Sequence, residues 1–256
     1  RQRQMCIRDR YSHEYAMHFP QIQWPAGRPA KVSPIYNDLI QAGAVMGSYG
    51  GWERADWFTN DESLKKPAIS YDRQHWFDDV SKECSNVSNS CGIIDLTGFS
   101  RFEINGEGAA NWLETLITGN LPKIGRVGLV YFASPSGKVL TEMTATRITE
   151  NEIWLLTGAG AYWHDRDWLS FNLPQNSKIN IIDTTHNIGT ILLTGPKSEL
   201  LIANLTDDKT DVSNFAWLTH KEINLCNEKC RVLKVSYAGE KGFEIHIANN
   251  SMSKVY

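Results

Sequence analysis

The 256-residue chain has no apolar run approaching the roughly 20 residues needed to cross a bilayer, and its start lacks the apolar core of a secretory signal. It also lacks the glycine pattern GxGxxG. Neither Gly47 with Gly50 nor Gly106 with Gly108 follows a strand and opens a helix with the required third glycine, so the phosphate cradle of a dinucleotide-binding unit is missing. Cysteine is sparse: Cys6, Cys84, Cys91, Cys226 and Cys230 form an odd set with no CxxC, which argues against a disulfide scaffold and a closed zinc site. Free thiols are expected, although a strained Cys226–Cys230 bridge across a turn is conceivable. The seven histidines include no HxH or HxxxH pair, so no metal is expected. Neither sign of charge dominates, with 26 basic and 29 acidic side chains and a net charge of -3, so no strong field gathers nucleic acid or anionic lipid. What remains is a composition 41% hydrophobic and 21% charged, that of a globular protein with a real core. A cytoplasmic or organelle-matrix setting follows, with neither nucleic acid nor membrane as a partner.

Residues 1–10, RQRQMCIRDR, are basic and aperiodic and read as non-native, of the kind a translated sequencing adapter leaves, or as a disordered end. Residues 11–32, rich in aromatics and ending in PAGRPAKV, read as the tail of an upstream part, and 33–256 as the domain proper. Ser33 and Pro34 are expected to cap and start a helix, which Gly43 ends. A polar surface loop near 59–67 and a helix near 80–89 follow. From Cys91 onward, short strands alternate with helices. GIIDLTGFSRFEING reads as strand, GEGAANWLETLIT as an amphipathic helix, and the stretch around the 134–137 hairpin turn as several strands. HDRDWLSFNL and PKSELLIANL read as helices, and the last 35 or so residues as strands. The order predicts an α+β fold with antiparallel sheets and packed helices.

The most informative stretch is SYAGEKGFE, in which Tyr237, Glu240 and Glu244 surround two glycines at strand edges. Taken alone it reads more readily as an ordinary hairpin with a solvated glutamate than as a site. It resembles the YTGExGxE signature of the glycine-cleavage T-protein family of aminomethyltransferases, which binds tetrahydrofolate. SPIYNDLIQAGAVMGSYGGWE is similar to that family's opening helix and FAGWE segment, GIIDLTGFSRFEING to its FDVS strand, and LLTGPKSELL to its QGP helix start. The AGRPAKVSPIY lead-in, GGWERADWF and the long loop ending in HWF resemble the dimethylglycine and sarcosine dehydrogenases within that superfamily.

The resemblance implies the T-protein fold, with the chain ending before the family's last small barrel domain. It implies tetrahydrofolate as cofactor here, and FAD bound by an N-terminal domain outside this sequence. An N-methyl amine is oxidised there, and its one-carbon unit is captured here as methylene-tetrahydrofolate; the electron acceptor is left open. Glu244 matches the pterin-binding glutamate, whose two oxygens suit adjacent ring N–H and amino donors. Tyr237 matches the signature's tyrosine. Glu142, in SGKVLTEM, stands where the transferases have a catalytic aspartate, and Gly158 where they have a folate-contacting asparagine. A stand-alone aminomethyltransferase, a folate-binding module without catalysis and a purely structural domain remain alternatives. Asp95 is expected to fix a turn, and Trp52 and Trp57 to fill a core or seam.

Overall fold

The structure is a computed structural model and describes every residue except 1–22, 24, 26, 67, 69, 207–211, 213 and 238. Residues 1–10, Cys6 and most of the expected upstream tail therefore lie outside the described residues. By internal contacts the chain divides into two compact units, Arg1–Ser85 and Asn86–Tyr256.

In the first unit, helix α1 (Tyr36–Gln41) precedes a hairpin of β1 (Ala44–Tyr49) and β2 (Trp52–Phe58). Gly43 ends the helix as expected: it adopts φ +93°, and a Cβ there would lie 2.6 Å from the Thr59 carbonyl oxygen. Ser33 does not cap it. The N-cap is Ile35, two residues after Ser33, with no side-chain bond, and the buried Ser33 hydroxyl has no hydrogen-bond partner. The glycine-rich aromatic stretch is a hairpin whose two-residue turn, Gly50 and Gly51, has φ +58° and +84°. Trp52 is buried, while Trp57 meets the rings of His75 and Trp76. Helix α2 (Phe77–Asn89) begins one turn earlier than the sequence pattern suggested, with Asp78 and Asp79 in its first turn where the helix dipole favours acids.

The second unit holds two five-stranded antiparallel sheets. The strands are β3 (Gly92–Asp95), β4 (Ser100–Asn105), β5 (Val127–Ala133), β6 (Val139–Arg147), β7 (Glu152–Thr157), β8 (Asn180–Asp183), β9 (Ile188–Thr194), β10 (His220–Leu225), β11 (Glu228–Leu233) and β12 (Gly242–Ala248). One sheet runs β5-β6-β7-β4-β8 and the other β10-β11-β12-β9-β3. Alternation sorts the first sheet's faces. Phe102, Ile104, Val130, Phe132, Met143, Ala145, Ile153 and Leu155 point to one side. There they form a core with residues of α3 (Ala109–Glu114) and α4 (Tyr162–Phe171). The expected α+β class is what the chain adopts. Helix α3 is shorter than its amphipathic pattern. Gly108 at φ +85° precedes it, and after Glu114 the bonds tighten to i→i−3 before Ile117 leaves to bridge Phe132. Helices α5 (Ser198–Leu205) and α6 (Met252–Val255) complete the unit.

The turns fall where the chemistry of the residues puts them. Ser134 to Gly137 forms the β5–β6 turn, with Gly137 at φ +79°. Cys226 and Asn227, at φ +52° and +64°, make the two-residue β10–β11 turn. Cys84, Cys91, Cys226 and Cys230 are free thiols; Cys230 is buried, which pushes its thiol up to about 11. Between β4 and α3, Gly106 adopts φ +122°, and a Cβ would sit 2.0 Å from the Lys178 carbonyl oxygen. Gly106→Ala is expected to lower the stability of this unit by about 2–4 kcal/mol, combining left-handed strain with overpacking. A urea midpoint within error of the parent would count against this.

Candidate functional site

The face of the first sheet turned away from α3 and α4 carries a cluster of charged and aromatic side chains. In β4 the core-facing Phe102 is flanked by Arg101 and Glu103, which point the other way. Across the ladder Arg101 pairs with Leu156 and Glu103 with Trp154, and the Trp154 indole donates to Glu103 at 2.9 Å. In the second sheet, Glu244 and His246 occupy one face of β12, opposite Leu192 and Thr190 of β9. The two faces meet. The Trp154 ring lies 4.9 Å from the His246 ring and 4.3 Å from the Arg231 guanidinium, and Arg101 bonds to Thr190.

A fully buried arginine is the centre of this contact. The Arg101 guanidinium donates to the carbonyls of Phe99 (2.8 Å), Thr97 (3.2 Å) and Leu96 (3.4 Å), and to the Thr190 hydroxyl. Burial draws its pKa down to about 10, against the pull of Glu244 and Asp95, so it stays charged at neutral pH. Asp95 fixes the preceding turn by accepting the Thr97 N–H at 2.9 Å, as expected. The Thr190 hydroxyl lies 2.9 Å from His246 Nδ1, and His246 Nε2 lies 3.2 Å from Glu244 Oε2.

Glu244 is 3% exposed. Burial raises its pKa, but hydrogen bonding and electrostatic attraction to His246, with smaller contributions from Tyr237 and the charge of Arg101, outweigh it, and the carboxyl is held below the ordinary range. Tyr237 is 62% exposed as a residue, yet burial and Glu244 raise the pKa of its hydroxyl. The two observations agree if the ring faces outward while the hydroxyl end tucks in beside Glu244. The same ring lies 6.5 Å from that of Phe99.

Register carries Glu142 and Gly158 to the same end of the sheet. The β6–β7 ladder closes at Thr144 with Leu156, and continuing its register two residues further sets Glu142 opposite Gly158. The β4–β7 ladder closes at Ser100 with Thr157, which puts Phe99 beside Gly158. Glu142 is exposed and pairs with Tyr131 of β5, whose hydroxyl pKa is raised by its bond to Glu142. Gly158 has φ −66°, and nothing lies within 4 Å of an added Cβ, so its backbone does not require glycine and the space above it is open. Buried Asp165 accepts from Thr157 (2.6 Å), Thr141 (3.2 Å) and His164 Nδ1 (2.9 Å), tying together the two strand ends that carry Gly158 and Glu142.

The sequence model of the GCVT N-terminal domain family matches residues 35–256. The chain belongs to this family. Dimethylglycine dehydrogenase, mitochondrial, of Mus musculus is 28% identical over 251 residues, covering 97% of this chain and 29% of the relative. Sarcosine dehydrogenase, mitochondrial, of Homo sapiens is 25% identical over 291 residues, covering 96% and 31%. The chain thus spans under a third of the length of these relatives. The crystal structure of glycine cleavage system aminomethyltransferase T from Bartonella henselae superposes with a TM-score of 0.71 at 19% identity, over 88% of this chain and 56% of that one. The fold is the aminomethyltransferase fold.

In this GCVT domain Tyr237 and Glu244 are electrostatically coupled, while Glu142 and Gly158 share a strand-end position set by register. Sequence reading missed Arg101, Thr190, His246 and Asp165. A signal for two of them lies in the alternation: in FSRFEING and GFEIHIA a charged or imidazole side chain takes a position that strand period places between buried sheets.

Proposed function

We propose that this chain is the folate-binding part of a flavin-dependent dehydrogenase of N-methyl amino acids such as dimethylglycine or sarcosine. In that reading residues 33–256 are the folate-binding domain, residues 11–32 are the tail of a flavin-oxidase part that holds FAD, and the compartment is a mitochondrial matrix or bacterial cytoplasm. The observation that carries it is Glu244, an ionised carboxylate inside the YAGEKGFE motif, beside an outward-facing tyrosine ring.

The residues fit a reduced pterin. With His246 on Oε2 and the Tyr237 hydroxyl as a second donor, about two of the roughly four acceptor sites of the carboxylate remain for an adjacent N–H and amino group. The exposed Tyr237 face offers a surface on which a flat ring packs, and the open space at Gly158 leaves room where the transferases carry a longer side chain. Tetrahydrofolate, when bound, supplies the nitrogen nucleophiles that take up the one-carbon unit. Glu142 would orient that ligand, hold a proton or stabilise a cationic adduct from the strand end opposite Gly158.

Glu244→Gln tests the assignment. The amide retains one acceptor and turns its NH2 toward a donor, so affinity for 5-formyltetrahydrofolate, measured by calorimetry, is expected to fall roughly ten- to a hundredfold, or about 1.5–3 kcal/mol. Unchanged affinity would remove Glu244 from the site.

A further inference from the structure

We infer that His246 is a positioning residue for Glu244: a neutral imidazole locked in its Nε2–H tautomer, which donates to Oε2 from the protein side and aims the carboxylate at its ligand. The role in binding rests on the folate reading above; the tautomer does not.

One arrangement of protons gives every donor and acceptor in this chain of contacts a partner. A guanidinium has donors and no acceptor, so Arg101 must use a lone pair of the Thr190 hydroxyl. The hydroxyl's own proton is then free for His246 Nδ1 at 2.9 Å, which accepts it. In a neutral ring the remaining proton lies on Nε2, facing Glu244 Oε2 at 3.2 Å. The opposite tautomer would set a ring lone pair against a carboxylate oxygen and press a second donor on Thr190. An imidazolium would keep the bond to Glu244, but Thr190 would then accept twice and its own O–H proton would lose His246 as acceptor.

The charges around the ring reinforce the neutral form. Arg101 approaches from β4 and Arg231 from β11, where it is the ladder partner of His246; the Trp154 ring edge lies against it from β7. Glu244, on its own strand, is the one facing anion, while Glu222 and Glu152 engage Arg231 further out. Burial and the two arginines hold the ring below its ordinary pKa, against the pull of Glu244. The consequence for the carboxylate is twofold. One oxygen is pinned from behind, fixing its plane, and the donated bond favours the ionised form against the burial that opposes it.

The test has a ligand-free arm and a ligand arm, both on the full chain. With 15N-labelled histidine, and His246→Gln to assign the signal, long-range 1H–15N correlation from pH 8 to 5.5 is expected to show His246 with a bare Nδ1 and a protonated Nε2 throughout. A proton on Nδ1, or an imidazolium at neutral pH, overturns the inference.

In the ligand arm, the wild-type Kd for 5-formyltetrahydrofolate should be flat over the same range, because Glu244 stays ionised. Thr190→Val removes the hydroxyl that sets the tautomer. It should weaken binding about tenfold and make Kd rise as pH falls, since a less well-held carboxylate protonates at higher pH. Thr190→Ser should restore both. If the valine variant does not fold, His246→Phe, with ring volume but no donor, is read in the same way. A variant that binds as tightly as wild type with a flat profile overturns the inference. The expected tautomer with no folate binding by wild type overturns the folate reading instead and leaves the His246 arrangement standing.

Discussion

Replacing Arg101 by methionine is expected to cost about 3–5 kcal/mol of stability, a large share of what holds a typical domain together. The side chain is 0% exposed and joins two sheets through the Leu96, Thr97 and Phe99 carbonyls and the Thr190 hydroxyl. Methionine fills much of the volume but leaves those acceptors unmet and removes a positive charge that helps lower the Glu244 pKa. The pair as a whole need not be stabilising, since two desolvated ions cost much of what their attraction returns. The double variant Arg101→Met with Glu244→Gln is therefore expected to recover part of the loss. Urea unfolding followed by circular dichroism measures the cycle. A single variant within about 1 kcal/mol of wild type would show that the guanidinium is not what joins the sheets, and strictly additive losses would show that the two charges do not interact across the gap.

The second large effect is on chemistry and is read in the intact flavin enzyme of the proposed function. Glu142→Gln is expected to leave amine oxidation nearly intact while transfer of the one-carbon unit to folate falls about a hundredfold and free formaldehyde rises. In that reading the two outputs separate, because oxidation would take place in another domain, whereas an iminium carbon not captured here would be taken by water. Glu142 projects from β6 beside Tyr131, opposite the open space at Gly158, so glutamine changes its charge without disturbing a core contact. If the variant passes its carbon to folate in the wild-type proportion, Glu142 is an ordinary exposed strand residue.

Much of the local structure was legible because its causes are local. Gly43 ends α1 and Gly137 closes a hairpin through backbone conformations that L side chains resist, and Asp95 makes its turn with a residue two positions on. Where expectation and structure part, a boundary has moved. Ser33 does not cap, since the N-cap falls two residues on at Ile35, and α3 stops early because Ile117 is drawn to Phe132. Tyr237 and Glu244 stood out because they sit in one short motif.

By itself, then, the sequence determined the element types, the main turns, the α+β class and a tyrosine and glutamate set close together by a tight loop, all from interactions within a few residues. Tertiary structure alone decided the order of strands in each sheet and the meeting of Arg101, Thr190, His246 and Glu244. Arg101 and Thr190 are 89 residues apart in the chain, and Thr190 and His246 are 56 apart. No local propensity encodes such a pairing. It forms because antiparallel register aligns the polar positions of β4, β9 and β12 on facing sides of two sheets, and because polar groups buried there must find one another once water is gone.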